Sequence, residues 1–362
     1  MKKLDYEDSE SRHSITGARL ASSYEGMQLV NARETSAAVS DKQIAQWKVW
    51  AQLVRLPNVF TIIADVSAAF LFTASSIQPW DRFVCVVLGA ISLYWAGMIL
   101  NDVFDAEIDA QQRSKRPIPQ GWIDKRQASI GGWLLLILGI GLATVSGYLS
   151  SSDVPTTSLP CILSFALAIM IIAYNGPLKR TIFAPATMGS CRLLSFLLGA
   201  SPCIALAASE SKPLGGLIPA ETVGIAIGFG IYIMGVTTMA RREATGGSRQ
   251  HLVVGGLITA LGAVCLAMAP QTSPGMIAPR LDTKSVFPLL ISMIVLPVLM
   301  RAIRAVRSPS PQRIQFTIKA GILTIIPLAA AFAALGAGPM WGMAIFSLVA
   351  PSLLLSARFR VT

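Results

Sequence analysis

The sequence predicts an all-α polytopic membrane protein with nine to ten transmembrane helices. Three observations favour this class. The 362 residues are 53% hydrophobic and 14% charged, with a mean hydropathy of +0.59, which is too apolar for a soluble globular domain. Apolar runs recur along the chain at lengths that cross a bilayer. Lys and Arg are concentrated in alternate loops between these runs, as in proteins that cross a membrane repeatedly.

Ten apolar runs approach or exceed the length of about 17–25 residues that a transmembrane helix needs. They lie near 50–74, 82–100, 127–149, 158–175, 184–207, 217–240, 251–269, 285–303, 314–335 and 340–357. The last two runs meet at Ala337, Gly338 and Pro339, a junction that allows either a tenth crossing or a re-entrant hairpin. Arg358 and Arg360 near the C-terminus favour the tenth crossing, because bases favour the cytosolic side.

Residues 1–48 carry seven basic and seven acidic side chains and no sustained apolar run. This composition predicts a disordered cytosolic tail, followed by a transmembrane domain over 49–362. The tail has too many acids for a mitochondrial transit peptide and shows no secretory signal, so we expect membrane entry through the first span. Because the tail is neutral, the net charge of +11 lies among the spans. There it is expected to set topology and contact membrane lipids, and not to bind nucleic acid.

The distribution of Lys and Arg between loops predicts the orientation of the chain. The loops after the second, fourth, sixth and eighth runs hold fourteen bases, while the intervening loops hold four: Arg82, Lys212, Arg280 and Lys284. The fourteen are Arg113, Lys115, Arg116, Lys125, Arg126, Lys179, Arg180, Arg241, Arg242, Arg249, Arg301, Arg304, Arg307 and Arg313. Short cytosolic loops carry the excess of bases, so the richer set of loops is expected to face the cytosol.

The stretch over residues 101–121, NDVFDAEIDAQQRSKRPIPQG, concentrates the acidic side chains. Outside the first 48 residues the protein has only twelve acids, and four of them lie within eight positions here: Asp102, Asp105, Glu107 and Asp109. An α-helix turns by about 100° per residue. The three aspartates and Asn101 are therefore predicted to share one helix face, while the glutamate points away.

Clustered carboxylates repel one another and are costly to desolvate unless a cation neutralises them. Hard oxygen ligands favour Mg²⁺ or Ca²⁺, and Mg²⁺ is usually completed by substrate phosphates. The acidic stretch therefore indicates a metal site with a diphosphate partner, and the alternative is a solvated helix end at the membrane surface. The metal site is favoured by the bases and prolines that follow on the same loop: Arg113, Lys115, Arg116, Pro117 and Pro119.

The same residues resemble the first signature of the UbiA superfamily of intramembrane prenyltransferases, NDxxDxxxD followed by a basic RPxPxG segment. The matching positions are Asn101, Asp102, Asp105, Asp109, Arg116, Pro117, Pro119 and Gly121. The resemblance implies a bundle around a central cavity, Mg²⁺ as cofactor, and an isoprenyl diphosphate and a lipophilic or aromatic acceptor as substrates. It implies that the asparagine and the aspartates are catalytic metal ligands and that the arginine contacts the diphosphate.

The segment YNGPLKR after the fourth run resembles a second family segment, YPxxKR. The resemblance implies that Lys179 and Arg180, with Tyr174, contact the diphosphate. A lysine is a point charge suited to phosphate oxygen. The alternative is that these bases only anchor the loop at the cytosolic surface.

Ionisable groups within the spans are costly and mark cavities by default. Arg55 and Asn58 near the start of the first run, and Arg192 in the fifth, are therefore candidate substrate-binding residues. Asp65 lies deep in the first run. Either Asp65 pairs with Arg192 or one of the two lines the acceptor cavity. Tyr94, Trp95 and Phe104 neighbour the acidic cluster and are candidates to stabilise a carbocation with their ring faces.

The loop after the sixth run, YIMGVTTMARREATGG, departs from the family, whose members usually carry DxxxD there. Val236 stands where an aspartate is expected, and Glu243 is the only acid near a family position, which makes it a candidate metal ligand. Arg241 and Arg242 either replace a metal electrostatically or serve as topology determinants. The altered motif resembles a divergent, EboC-like branch.

The predicted function is transfer of an isoprenyl group from its diphosphate to an acceptor within the membrane, through Mg²⁺-assisted ionisation of the diphosphate. Two alternatives stay open. A terpene cyclase on the same fold would ionise the same substrate without an acceptor. A non-catalytic lipid-binding or transport protein would retain the fold without the chemistry.

Overall fold

The computed structural model of the chain describes residues 46–151, 154–204, 218–241, 249–271 and 281–358. The chain divides into two units, 1–50 and 51–362. In the first unit, the described residues 46–50 begin helix α1, so the last three residues of the predicted disordered tail are helical. The rest of that tail lies outside the described residues. The second unit holds the helical bundle.

All regular secondary structure in the described residues is helical, which confirms the predicted fold class. The α-helices are α1 Gln46–Leu53, α2 Val59–Ala74, α3 Trp80–Phe104, α4 Ala106–Gln112, α5 Lys125–Tyr148, α6 Leu159–Asn175, α7 Ala184–Ala200, α8 Ala220–Ala240, α9 Arg249–Met268, α10 Val286–Arg307, α11 Pro311–Leu323, α12 Ile325–Ala337, α13 Pro339–Phe346 and α14 Val349–Arg358. Short 3-10 turns occupy Leu56–Asn58, Ser201–Cys203 and Ala269–Gln271.

Eight helical segments among the described residues are long and apolar enough to cross a membrane. Helix α6 is a shorter apolar helix, and the 17-residue α7 occupies the fifth predicted run. Exposed side chains on the outer faces are large and apolar, such as Leu134 and Ile137 on α5 and Leu257 on α9. A surface of this kind is compatible with hydrocarbon and not with water, so the protein is an integral multi-pass membrane protein.

The C-terminal segment runs back along the length of α2. Gly336 near the end of α12 packs against the backbone of Phe72, close to the end of α2. The Ser352 hydroxyl of α14 donates a hydrogen bond of 3.0 Å to the carbonyl of Pro57, just before α2 begins. These two positions on the first span are about 22 Å apart at 1.5 Å per residue. The segment after Gly338 therefore extends over nearly the whole length of the first span, which favours a tenth crossing over a re-entrant hairpin.

Phe332 of α12 lies at the centre of a buried aromatic cluster that joins four other helices. Its ring centroid is 5.1 Å from Phe287 of α10, 5.7 Å from Phe229 of α8 and 6.2 Å from Phe72 of α2. Phe196 of α7 completes the cluster at 6.5 Å. Edge-on and tilted ring contacts of this kind add favourable energy beyond area burial, so they fix how these helices pack around the cavity.

Arg82, near the start of α3, is fully buried and acts as an interior hydrogen-bond donor. Its guanidinium donates to the carbonyls of Leu149, Val154, Pro155 and Pro202, at distances between 2.6 and 3.0 Å. These carbonyls belong to the end of α5, the approach to α6 and the turn after α7. One side chain therefore ties three segments together at the end of α3 that is remote from the acidic stretch.

Helices α3 and α5 approach closely at a pair of glycines. A Cβ atom at position 139 would lie 2.9 Å from the carbonyl oxygen of Gly89 and 2.7 Å from Cγ of Leu93. Small residues allow such backbone contact between helices in lipid, where helix association depends on van der Waals packing. This contact fixes the position of α3, which carries the acidic stretch at its other end.

Replacement of Gly139 by Ala is expected to lower the free energy of unfolding by about 1–3 kcal/mol, because the added methyl group overpacks the contact. Gly141 provides a matched control, since a Cβ there would meet nothing within 4 Å. Gly141→Ala should leave stability unchanged or raise it slightly through helix propensity. Denaturant unfolding of the full chain in detergent measures both variants. Equal losses in the two would contradict the proposed contact.

Candidate active site

The acidic stretch is divided between two helices. Helix α3 ends at Phe104 and α4 begins at Ala106, with Asp105 as the residue between them. The helix is therefore interrupted at this residue and not continuous as predicted, although helical backbone bonds from Asp105 to Asn101 and from Asp109 to Asp105 flank the interruption. The break still brings the polar groups together: Asn101, Asp102 and Asp109 are buried and Asp105 is half-buried. The side chain of the intervening glutamate is 90% exposed, which confirms that it points away.

Arg116 bridges two of the aspartates. One of its terminal nitrogens, Nη1, donates to Oδ1 of Asp102 at 2.9 Å and to Oδ2 of Asp109 at 2.6 Å. The backbone brings it there by turning after α4, where the amide of Gln120 bonds back to the Arg116 carbonyl. Gly121 ends this loop with a φ of 69°, a left-handed conformation that glycine adopts without strain.

Lys179 bridges the other two members of the cluster from the loop after α6. Its ammonium group donates to Oδ1 of Asn101 at 2.6 Å and forms a short ion pair with Oδ2 of Asp105. Burial lowers the pKa of Lys179, and the hydrogen bond and charge of Asp105 oppose that shift. Asn175 at the end of α6 holds this helix against α3, because its side chain donates a hydrogen bond of 3.0 Å to the carbonyl of Gly97.

The charges in this cluster cancel. Three aspartates meet three cations, since Arg55 joins Arg116 and Lys179 with its Nη2 3.6 Å from Oδ1 of Asp102. Opposite charges at these distances stabilise each other strongly when they are shielded from water. We define these six residues together with Asn101 as the charge cluster. It is neutral as it stands, with both hard oxygen acceptors and phosphate-type donors in place.

A cavity of about 370 Å³ opens beside the charge cluster between the helices. Its wall is mainly apolar, and its polar members include the predicted Arg55, Asn58, Tyr94, Asn101, Tyr174 and Arg192. Sequence reasoning missed other polar lining residues: Thr61, Asn175, Ser195 and Thr237. The sequence did contain a pattern that indicates them. Each is an isolated polar residue in or beside an apolar run, three or four positions from a predicted site residue, which is the spacing of one helix face.

Arg192 of α7 lines the cavity and also pairs with Asp65 of α2, so both alternatives that the sequence left open are observed for Arg192. The distance from Arg192 Nη1 to Asp65 Oδ2 is 3.0 Å, and the guanidinium also donates to the carbonyl and hydroxyl oxygens of Thr61. Asp65 is fully buried. The pair therefore holds one guanidinium of the cavity wall at a fixed position.

The wall contributed by α8 is apolar where the family usually has acids. Val236 lines the cavity there and is buried, next to Thr237 and Ala240. Arg241 follows, and its guanidinium donates to the carbonyl of Thr181 at 2.9 Å. This bond ties the end of α8 to the loop that carries Lys179. The predicted roles of Arg242 and Glu243 fall on residues outside the described ones.

Within the described residues, no three His, Cys, Asp or Glu side chains converge closely enough to hold a metal ion by themselves. The bridging cations explain this spacing, because each aspartate of the charge cluster faces a cation. Arg180 is exposed, at the edge of the same loop. Its predicted role in diphosphate binding stays a prediction.

The candidate membrane spans, together with a mainly apolar cavity that has the charge cluster at its edge, define a polytopic membrane protein with a partly charged cavity between its helices. The comparisons with known proteins agree with that class. A family model described as the UbiA prenyltransferase family matches residues 62–319. The chain therefore belongs to the UbiA prenyltransferase family. Its placement in an EboC-like branch stays a prediction.

Two relatives illustrate the sequence similarity. Digeranylgeranylglyceryl phosphate synthase of Metallosphaera sedula is 30% identical over 152 residues, which is 41% of this chain and 49% of the relative. Chlorophyll synthase of Arabidopsis thaliana is 22% identical over 217 residues, which is 58% of this chain and 53% of the relative. The chain thus spans about half the length of the curated relatives it matches.

Solved structures show the shared fold. One that concerns digeranylgeranylglyceryl phosphate synthase in membranes has a TM-score of 0.56 at 17% identity, and covers 81% of this chain and 99% of that chain. A UbiA homologue from Archaeoglobus fulgidus bound to GPP and Mg²⁺ has a TM-score of 0.51 at 14% identity, and covers 83% of this chain and 99% of that chain.

Replacement of Arg116 by Met is expected to cost about 3–5 kcal/mol of stability, because it leaves the buried Asp109 without a cation and Asp102 with only the longer contact to Arg55. Lys125→Met is the matched control, since its partner Glu107 is exposed and surface pairs contribute little. Adding Asp102→Asn and Asp109→Asn to Arg116→Met should restore part of the loss. Thermal unfolding in detergent measures the series. Equal stability of Arg116→Met and wild type would show that the ion pairs are not formed.

Proposed function

We propose that this protein transfers an isoprenyl group from an isoprenyl diphosphate to a lipophilic or aromatic acceptor within the membrane. The observation that carries the proposal is the neutral charge cluster at the edge of an apolar cavity. Membership of the UbiA prenyltransferase family supports it. Further support comes from UbiA homologue structures bound to GPP or to DMAPP together with Mg²⁺.

The donors of the charge cluster would bind the diphosphate. Lys179 and Arg116 already point at carboxylate oxygens, and phosphate oxygens are acceptors of the same kind. Arg55 lines the cavity and also reaches the cluster, so it would contact a phosphate at the cavity edge. Arg180 lies on the same loop as Lys179. Arg241 would act as a positioning residue that holds that loop.

The oxygen donors of the charge cluster fit Mg²⁺. They are carboxylates and one amide oxygen, and Mg²⁺ is commonly held by one or two carboxylates together with substrate phosphates. Asn101, Asp102, Asp105 and Asp109 supply these oxygens, and one or two of the carboxylates would hold an ion together with the diphosphate. When bound, Mg²⁺ stabilises the negative charge of a leaving diphosphate. The apolar α8 wall at Val236 offers no comparable donors, so we place the metal at this first motif. The predicted metal ligand Glu243 lies outside the described residues, and its role stays a prediction.

The reaction would begin as the allylic C–O bond breaks, with its electron pair leaving on the diphosphate. Lys179 and Arg116 would stabilise that charge. The mainly apolar cavity would exclude water, and the rings of Tyr94 and Tyr174 in its wall would stabilise the allylic cation. The predicted Trp95 and Phe104 are not among the residues that line it. A nucleophilic atom of the acceptor would then form the new bond to carbon and lose its proton. We place the acceptor beside Arg192 and Asn58, at the polar part of the wall.

We also propose that the charge cluster faces the cytosol. Fourteen bases lie in the loops on its side and four in the opposite set. One of those four, Arg82, is buried in hydrogen bonds to carbonyls and so contributes little to surface charge. Arg116 and Lys179 on the side of the charge cluster are likewise neutralised, so the counts without these three bases become twelve and three, and the asymmetry keeps its direction.

Asp102→Asn and Asp105→Asn are each expected to reduce diphosphate release by about 10²–10³-fold or more, because they remove groups that organise charge stabilisation at the leaving group. Glu107→Gln should leave the rate unchanged, since this exposed acid lies in the same stretch but outside the cluster. The assay incubates purified protein with a panel of isoprenyl diphosphates, with and without candidate acceptors. Unchanged release by both asparagine variants would contradict the role given to the charge cluster, and no release by the wild type with any substrate pair would instead favour a non-catalytic lipid-binding protein.

Transfer and cyclisation are distinguished by the need for a second substrate. With one isoprenyl diphosphate and no acceptor, a transferase should give no cyclic hydrocarbon or alcohol, and its prenylated product should form only when an acceptor is added. Mass spectrometry of the extracted products measures this. A cyclised product from the diphosphate alone would replace the transferase proposal with a terpene cyclase.

A further inference from the structure

Four arginines converge on a second site, where α10 ends and α11 begins. Arg301, Arg304 and Arg307 of α10 and Arg313 of α11 line a hollow of about 450 Å³, together with the hydroxyl-bearing Ser308 and Thr317. All four arginines are exposed. We call this set the arginine pocket.

The arginine pocket has no internal counter-charge. The sequence contains no Asp or Glu over residues 283–362, and the ion pairs of the described residues involve none of the four arginines. Arg313 donates to the carbonyl of Ser308 at 3.1 Å, which holds the two helices' ends together. Membrane topology requires bases on one side, but it does not require them to converge. Convergence without an acid indicates an anionic ligand.

The arginine pocket lies at the same end of the bundle as the charge cluster. Helix α8 ends at Ala240, which lines the active-site cavity, and Val236 one turn earlier packs against Gly321 of α11. Helix α11 begins at Pro311, ten residues before Gly321, and its first turns carry Arg313 of the arginine pocket. The arginine pocket is thus separate from the cavity but belongs to the same membrane face.

An apolar stripe leads directly into the arginine pocket. Met293, Leu296 and Met300 of α10 are 66%, 56% and 44% exposed. At 100° per residue, Arg304 and Arg307 continue the stripe that these three side chains form. Phe316, which is 69% exposed, flanks the pocket on α11. A ligand with apolar tails along this stripe would place its head among the arginines.

We propose that the arginine pocket binds the head group of an anionic phospholipid that carries a phosphomonoester, of the phosphatidic acid type. Guanidinium groups bind phosphate oxygens in bidentate fashion, and a phosphomonoester offers more charge and more free oxygens than a phosphodiester. The acyl chains lie along the Met293, Leu296 and Met300 stripe. This site is independent of the proposed reaction, since it shares no residue with the charge cluster.

The test measures binding of dioctanoyl phosphatidic acid to the purified full chain in detergent, by native mass spectrometry, with dioctanoyl phosphatidylcholine as the neutral comparison. Arg304→Gln with Arg307→Gln should weaken phosphatidic acid binding about 30-fold, since each base near an anionic lipid surface contributes roughly fivefold. Lys125→Gln with Arg126→Gln removes two exposed charges elsewhere and should leave binding unchanged. Lys179→Gln should also leave it unchanged, which separates this site from the active site.

Three outcomes would overturn the proposal. Phosphatidylcholine could bind as tightly as phosphatidic acid. Alternatively, the Arg304→Gln, Arg307→Gln variant and the Lys125→Gln, Arg126→Gln variant could lose affinity equally. Either result would assign binding to general properties of the protein surface. Inorganic phosphate or glycerol 3-phosphate could displace the lipid at equal concentration, which would assign the site to free phosphate. Unfolding midpoints of all variants are recorded in parallel. Arg304→Lys with Arg307→Lys keeps the charge but not the bidentate geometry, so its affinity should lie between that of the wild type and that of the glutamine variant.

Discussion

The structure depends on the mutual neutralisation of three carboxylates and three cations at one end of the helical bundle. Each charge alone would be expensive to hold where water is scarce. Together Arg116, Lys179 and Arg55 satisfy the aspartates through direct contacts of 3.6 Å or less. The interruption of the helix at Asp105 and the turns that return Arg116 follow from this requirement, because the partners come from three separate segments.

Neutrality also has a functional consequence. A bare diphosphate would add negative charge to a balanced site, and a bare divalent cation would add positive charge. A diphosphate and a divalent cation that enter together change the balance least, while each finds the acceptors or donors it prefers. Contacts outside the charge cluster hold the segments that carry its residues in place. The Gly89 and Gly139 contact positions α3, Asn175 anchors the end of α6, and Arg241 holds the loop with Lys179.

The sequence predicted the fold class, the ten apolar runs and most of the polar residues that line the cavity, because these depend on composition and helical spacing. The Arg192 and Asp65 pair was also predictable, since two ionisable groups within spans need partners. Other features depend on contacts distant in sequence. Arg82 counted as a loop base but is buried among carbonyls of three other segments. Nothing local in the sequence marks those carbonyls as its partners.

The break at Asp105 was missed for a similar reason. The residues around it permit a continuous helix, and the interruption is associated with the pairing of Asp105 with Lys179, 74 positions along the chain. The loss of acids at Val236 was visible in the sequence, but only the structure shows that this residue is buried in the cavity wall. Arg241 was considered for phosphate and for topology, and its actual partner is the Thr181 carbonyl.

The central claim is that the neutral charge cluster accepts a divalent cation and a diphosphate together. Calorimetric titration of the full chain in detergent with a non-hydrolysable isoprenyl diphosphate analogue, in MgCl₂ and in EDTA, tests it most directly. The account predicts affinity at least about 100-fold higher with Mg²⁺, a coupling near 3 kcal/mol. Equal affinity in the two conditions would contradict it.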